Sequence, residues 1–121
     1  MIEGSSLHKV ADGITRLVSA MKTVSADPAE EPMLNALASF ANGTWTVLVF
    51  PRRKHRPEEF FRTGDEQVMI SPAIIDIGGL IVAPVKKDFQ NVDATLVQKI
   101  YDEVLWEREA LESVIAKWER L

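Results

Sequence analysis

Five consecutive residues, Arg52, Arg53, Lys54, His55 and Arg56, are cationic or can become so, and Pro51 and Pro57 bound them. Guanidinium groups grip phosphate oxygens in bidentate fashion, and a lysine adds a point charge. A histidine among them can act as acid, base or nucleophile toward phosphorus. This is the chemistry of a phosphate site, and His55 is its one catalytic candidate. Strand alternation carried past Pro51 would send Arg52 and Lys54 one way and Arg53 and His55 the other, so all five cannot face one ligand. Glu58 and Glu59 follow and can neutralise part of the cluster. The competing reading is a solvated charged loop.

Little else in the chain could do chemistry. His8 lies off the apolar stripe of its segment and reads as a surface histidine. Asp76 is the single charge within "SPAIIDIGGLIVAP". A buried, unpaired carboxylate is costly, so Asp76 must cap a turn, pair with a base or contact a ligand, and capping the Gly78-Gly79 bend is the favoured role. The glycine pair precedes no helix and reads as structural. No phosphate-cradling GxxxxGK[ST], GxGxxG, HExxH or GxSxG pattern occurs, so no cofactor and no metal is expected. The absence of cysteine removes disulfides, a thiolate nucleophile and cysteine-based metal sites. A net charge of −4 argues against general nucleic-acid binding while allowing a local basic pocket. The opening "MIEGSSLHKV" is not a signal peptide and no apolar run spans a membrane, so the expected location is the cytoplasm.

These residues need a frame. The 121 residues are one domain's worth, expected as a single domain over 1–121 that buries about two-thirds of its unfolded surface. Leu7, Val10, Ile14, Leu17, Val18 and Met21 recur at helical spacing and predict a helix over about 6–25, capped by Ser5 or Ser6. Gly13 weakens it by roughly 1 kcal/mol relative to alanine. "SADPAEEP" is a surface connection. Two apolar runs flank Asn42-Gly43, the dipeptide of a type I′ hairpin. Trp45, Val47 and Val49 share one face of the second strand and Thr46, Leu48 and Phe50 the other, which makes it central in its sheet until Pro51 ends it. "PEEFFR" can start a short helix at Pro57. "EQVMIS" and Leu80–Ala83 read as further strands, giving a sheet region of about 33–85, and "KKDFQNVD" as a loop. Leu96, Val97, Ile100, Tyr101, Val104 and Leu105 predict a helix from Asn91 or Asp93. Leu111, Val114, Ile115 and Trp118 either continue it or follow a kink near Trp106, covering about 93–120 in all. The expected class is α+β, an antiparallel sheet with helices at both termini packed on it.

The segments "ANGTWTVLVFPRRKHRP", "MISPAIIDIGGLIVAP" and "VQKIYDEV" together resemble the C-terminal part of ATP adenylyltransferase-like proteins. These include dinucleoside tetraphosphate phosphorylases and GDP-hexose phosphorylases of the histidine-triad/galactose-1-phosphate uridylyltransferase superfamily, and an uncharacterised bacterial family related to them is most similar. The resemblance covers roughly Leu34 to Val104. It implies a histidine-triad-like α+β fold and a nucleotide or sugar nucleotide as ligand. In such families a histidine attacks the α-phosphate and phosphate or a sugar phosphate then releases the nucleotidyl-histidine. Their His-x-His-x-His motif is missing from this chain, whose two histidines are His8 and His55. The resemblance therefore implies the non-triad half, with Arg52, Arg53, Lys54, His55 and Arg56 binding phosphate, and either the triad supplied by a separate partner chain or by the rest of a longer protein, or a stand-alone descendant without transferase activity. The alternative is an interaction or oligomerisation module without ligand chemistry, using its apolar helix stripes, Trp106 and Trp118 against another copy or another protein. A hydrolase using His55 as base is a third reading, without an identifiable orienting carboxylate.

Overall fold

The computed structural model describes residues 1–25 and 27–121; the connection read at "SADPAEEP" includes Ala26, which lies outside the described residues. The class is α+β with a three-stranded antiparallel sheet. The chain divides into two compact units, Met1–Pro51 with Glu107–Leu121, and Arg52–Trp106.

The first unit holds β1 (Ile2–Gly4), α1 (Leu7–Lys22), β2 (Leu34–Ala41), β3 (Thr44–Pro51) and α5 (Arg108–Trp118), the last of five helices numbered in chain order. Ser6 caps α1, its hydroxyl accepting from the Lys9 N–H at 3.4 Å. The strand order is β1-β3-β2, so β3 is central, as its two apolar faces predict. β2 meets β3 in a register running from Leu34 opposite Pro51 to Ala41 opposite Thr44. Asn42 and Gly43 join them with φ of 52° and 76°. α1 lays Val10, Gly13, Leu17, Ala20 and Met21 inward, with Ile2, Val47 and Val114 completing this unit's core.

Gly13 was expected only to weaken α1, yet it is where α1 meets β1. A Cβ there would stand 2.9 Å from Ile2 Cγ2. β1 was not foreseen; three residues are too few for a periodic signal. The helices at the two ends were expected on the sheet. α1 packs on β1 and β3, whereas α5 packs on α1. The Trp118 indole N–H donates to the Gly13 carbonyl at 3.0 Å, and Arg16 lies 5.6 Å over its ring.

The second unit contains a 3-10 turn at Glu58–Phe61, another at Gly64–Glu66, α2 (Ile74–Ile77), α3 (Lys86–Asn91) and α4 (Ala94–Val104). Asp93 caps α4, its carboxylate accepting from the Leu96 N–H at 2.8 Å. Ile70, Ile100, Val104, Pro57 and Pro72 are buried here.

Neither strand expected in this unit forms. Around Glu66–Ser71 the backbone donors go elsewhere: Val68 N–H to the Glu59 carbonyl at 3.0 Å and Met69 N–H to the Asp88 carboxylate at 2.7 Å. At Leu80–Ala83 the Val82 N–H donates to Asp76 Oδ1, and Leu80 and Val82 are exposed rather than buried. The region 86–93, expected as a loop, contains α3. Its Asp88 is buried, and its Lys87 ammonium donates to the carbonyls of Gly64, Asp65 and Gln67. Gly79, with φ 107°, closes α2. No helix among the described residues is long and apolar enough to cross a membrane.

Candidate functional site

The basic run divides into two groups with different tasks. An α-helix ends with carbonyls that have no partner in the helix, and cations near them are favourable. At the end of α4 that need is met from fifty residues away in sequence. The Arg53 and Lys54 N–H groups both point at the Val104 carbonyl, the first at 2.9 Å. The Arg53 guanidinium donates to the carbonyls of Glu103 and Asp102, each at 2.8 Å. Lys54 pairs with the Glu103 carboxylate at 2.7 Å, and that carboxylate also accepts from the Glu58 N–H. Arg53 and Lys54 therefore serve α4.

Arg52, His55 and Arg56 are brought together instead, lining an open cleft of about 520 Å³. Its other walls are Phe61 and the segment Ser71, Pro72 and Ala73. The alternation expected past Pro51 fails because extended backbone stops at Arg52, which forms a single antiparallel bridge with Leu105. The chain then bends at Arg53 and again at His55 and Arg56.

Arg52 is the fixed element. Only 7% of it is exposed. Its Nε donates to the Lys54 carbonyl at 3.2 Å and its Nη2 to the His55 carbonyl at 2.7 Å. Its own carbonyl accepts from the Trp106 indole at 2.9 Å. Nη1 has no protein partner among the described residues. Burial lowers the guanidinium's pKa and the nearby Asp76 carboxylate opposes that shift; an arginine stays cationic regardless. The Arg56 guanidinium carbon lies over the Phe60 ring, 4.2 Å from its centroid, a cation–π contact. Such a contact leaves guanidinium N–H groups available for an oxyanion.

Asp76 acts as a cap, but of the start of α2 and of Val82 rather than of the Gly78-Gly79 bend itself. It is buried, and its carboxylate accepts from the N–H groups of Ala73 and Val82 at 2.8 and 2.9 Å. The bond to Ala73 pins the wall of the cleft, which makes Asp76 a positioning residue. Its carbonyl accepts from the Tyr101 hydroxyl at 2.8 Å, and burial, with Asp76 nearby, raises the Tyr101 pKa.

Glu59, expected as a neutraliser of the cluster, is turned elsewhere. It is buried and hydrogen-bonded to Lys99, which holds its carboxyl below the ordinary value, with Arg62 at 3.9 Å adding to the effect. Neither Arg52 nor Arg56 forms an ion pair among the described residues, and the buried Asp76 carboxylate nearby offsets part of the Arg52 charge. Sequence reasoning missed Phe61 and Ser71. Both lie outside the charged run, and no local signal marks them as neighbours of Arg52.

No family profile, curated protein or solved structure matches the chain.

Proposed function

We propose that this chain binds the phosphate groups of a nucleotide or nucleotide sugar in the cleft lined by Arg52, His55 and Arg56. The observation that carries the proposal is Arg52. It is buried, held by the carbonyls of Lys54 and His55, and lines the cleft. A guanidinium fixed in this way loses little freedom on binding an oxyanion. His55, Arg56 and the Ser71 hydroxyl supply further donors at the same opening.

The resemblance to the non-triad half of ATP adenylyltransferase and phosphorylase enzymes, with their histidine-triad-like fold, agrees with this reading. The role left to this chain is to grip and orient phosphate. A covalent nucleotidyl step would need a triad histidine from a partner chain or from elsewhere in a longer protein. No carboxylate among the described residues hydrogen-bonds the His55 imidazole, so the triad logic of an oriented base is not met here.

The test is equilibrium binding of ATP, GDP and sugar nucleotides, read as a rise in melting temperature and by calorimetry. Ligand that binds the native state raises the melting temperature. Arg56→Ala should weaken binding about tenfold or more, the value of one charge-assisted hydrogen bond. Lys86→Ala, an exposed cation outside the cleft, should change nothing. Absence of a shift at millimolar ligand would remove the proposal.

One observation favours the second reading, an interaction module. β2 lies at the sheet edge, carries no charged residue, and exposes Phe40. Uncharged edge strands are prone to pair with another chain. A dimer in native mass spectrometry that Phe40→Lys breaks apart would support it, and a monomer at all concentrations would remove it.

A further inference from the structure

We infer that Phe61 is the specificity-determining residue of the cleft, a platform on which a planar aromatic ring attached to the phosphates stacks. This rests on the phosphate reading of the same cleft and adds to it a second recognition element of different chemistry.

Phe61 closes the 3-10 turn Glu58–Phe61 and lines the cleft alongside Arg52, His55 and Arg56. It is 69% exposed. A single exposed phenylalanine needs no explanation, but this one is braced. Its ring meets Phe60 edge-on, with centroids 5.5 Å apart and planes at 72°. Phe60 in turn carries the Arg56 guanidinium on its ring. The turn is anchored at both ends of its backbone. Phe60 N–H donates to the Pro57 carbonyl, Val68 N–H to the Glu59 carbonyl, and Gln67 Nε2 to the Phe60 carbonyl. The buried Glu59 is also tied to Lys99.

The consequence is an exposed phenyl ring presented at the cleft on an anchored turn. An edge-on neighbour leaves a ring face for a third ring, in the offset or tilted geometries that aromatic groups prefer. Stacking on a side chain reads any nucleobase, because every base has a π-face. The cations hold the phosphates and the phenyl holds the base, so a base-bearing phosphate should bind more tightly than one without a base. Arg56 links the two halves, since it lines the cleft and braces the platform.

The experiment compares ADP with inorganic pyrophosphate by calorimetry on the wild-type chain, Phe61→Ala and Phe61→Trp. The expected result is that the wild type binds ADP about tenfold or more tightly than pyrophosphate, the value of one base stacked on one side chain. Phe61→Ala should lose that preference while keeping its affinity for pyrophosphate. Phe61→Trp should keep it, with indole fluorescence quenched by ADP and unchanged by pyrophosphate. If pyrophosphate binds but Phe61→Ala leaves the preference for ADP intact, or weakens both ligands equally, the platform is wrong and the phosphate reading stands. If neither ligand binds the wild type, both fall together.

Discussion

Side chains of one type, adjacent in sequence, have been given opposite tasks. Arg53 spends its guanidinium on the carbonyls of Asp102 and Glu103, while Arg52 spends only part of its own on Lys54 and His55. The type of chemistry was legible in the run of five basic residues. The division among them was not, because it depends on where α4 ends, fifty residues later. Asp76 was legible because a carboxylate in an apolar stretch must find donors nearby, and it finds them at Ala73 and Val82. Glu59 was misread because its partner, Lys99, is forty residues away. That pair makes a prediction at this scale. Glu59 has a lowered folded-state pKa, so its contribution to stability is present above the ordinary value of 4.5 and is lost as pH falls through the folded value. Lys99 is more than half exposed, which places its hydrogen bond at the weak end for a charged group. Lys99→Met should therefore cost about 1.5 kcal/mol at pH 7. The difference from wild type should shrink as pH falls below 4.5, because the unfolded chain takes up the proton before the folded wild type does. Urea denaturation at pH 7 and pH 3.5 checks this, and a pH-independent difference would contradict it.

The elements divide by how their backbone is satisfied. α1, β3 and α4 satisfy themselves through a helix or a sheet, and their periodicity could be read from the sequence. The segments 67–71 and 80–83 hand their donors to the Glu59 carbonyl and to the carboxylates of Asp88 and Asp76, which no periodicity reports. α3 is short, and its residues Lys87 and Asp88 are bound to other segments, so its sequence looks like a loop. Gly13 shows how packing can reverse the sign of a propensity argument. Alanine is the better helix former by roughly 1 kcal/mol. Here its methyl would press on Ile2, and overpacking costs about 1–3 kcal/mol. Gly13→Ala should lower the melting temperature, and on an Ile2→Ala background the same change should raise it. Equal effects in both backgrounds would show that the contact does not matter. In the turn between β2 and β3, Gly43→Ala should cost about 1–2 kcal/mol by chemical denaturation, because φ is positive and no space limits the methyl.

For the whole molecule, the two tryptophans that could have served a partner are each used within a unit. Trp118 donates to Gly13, and Trp106 donates to Arg52. What remains available is an uncharged strand edge in one unit and a cationic cleft in the other. An acidic chain thus keeps a local cationic cleft: Glu59 and Glu103 are engaged by Lys99 and Lys54, while the buried Asp76 offsets only part of the Arg52 charge. The central claim is that phosphate binds at this cleft. Backbone amide resonances followed by nuclear magnetic resonance during titration with pyrophosphate test it most directly. The account predicts saturable shifts at His55, Arg56, Phe61, Ser71 and Ala73, with β2 unmoved and saturation in Arg56→Ala needing about tenfold more pyrophosphate. Shifts that fall elsewhere, or none at millimolar pyrophosphate, would contradict it.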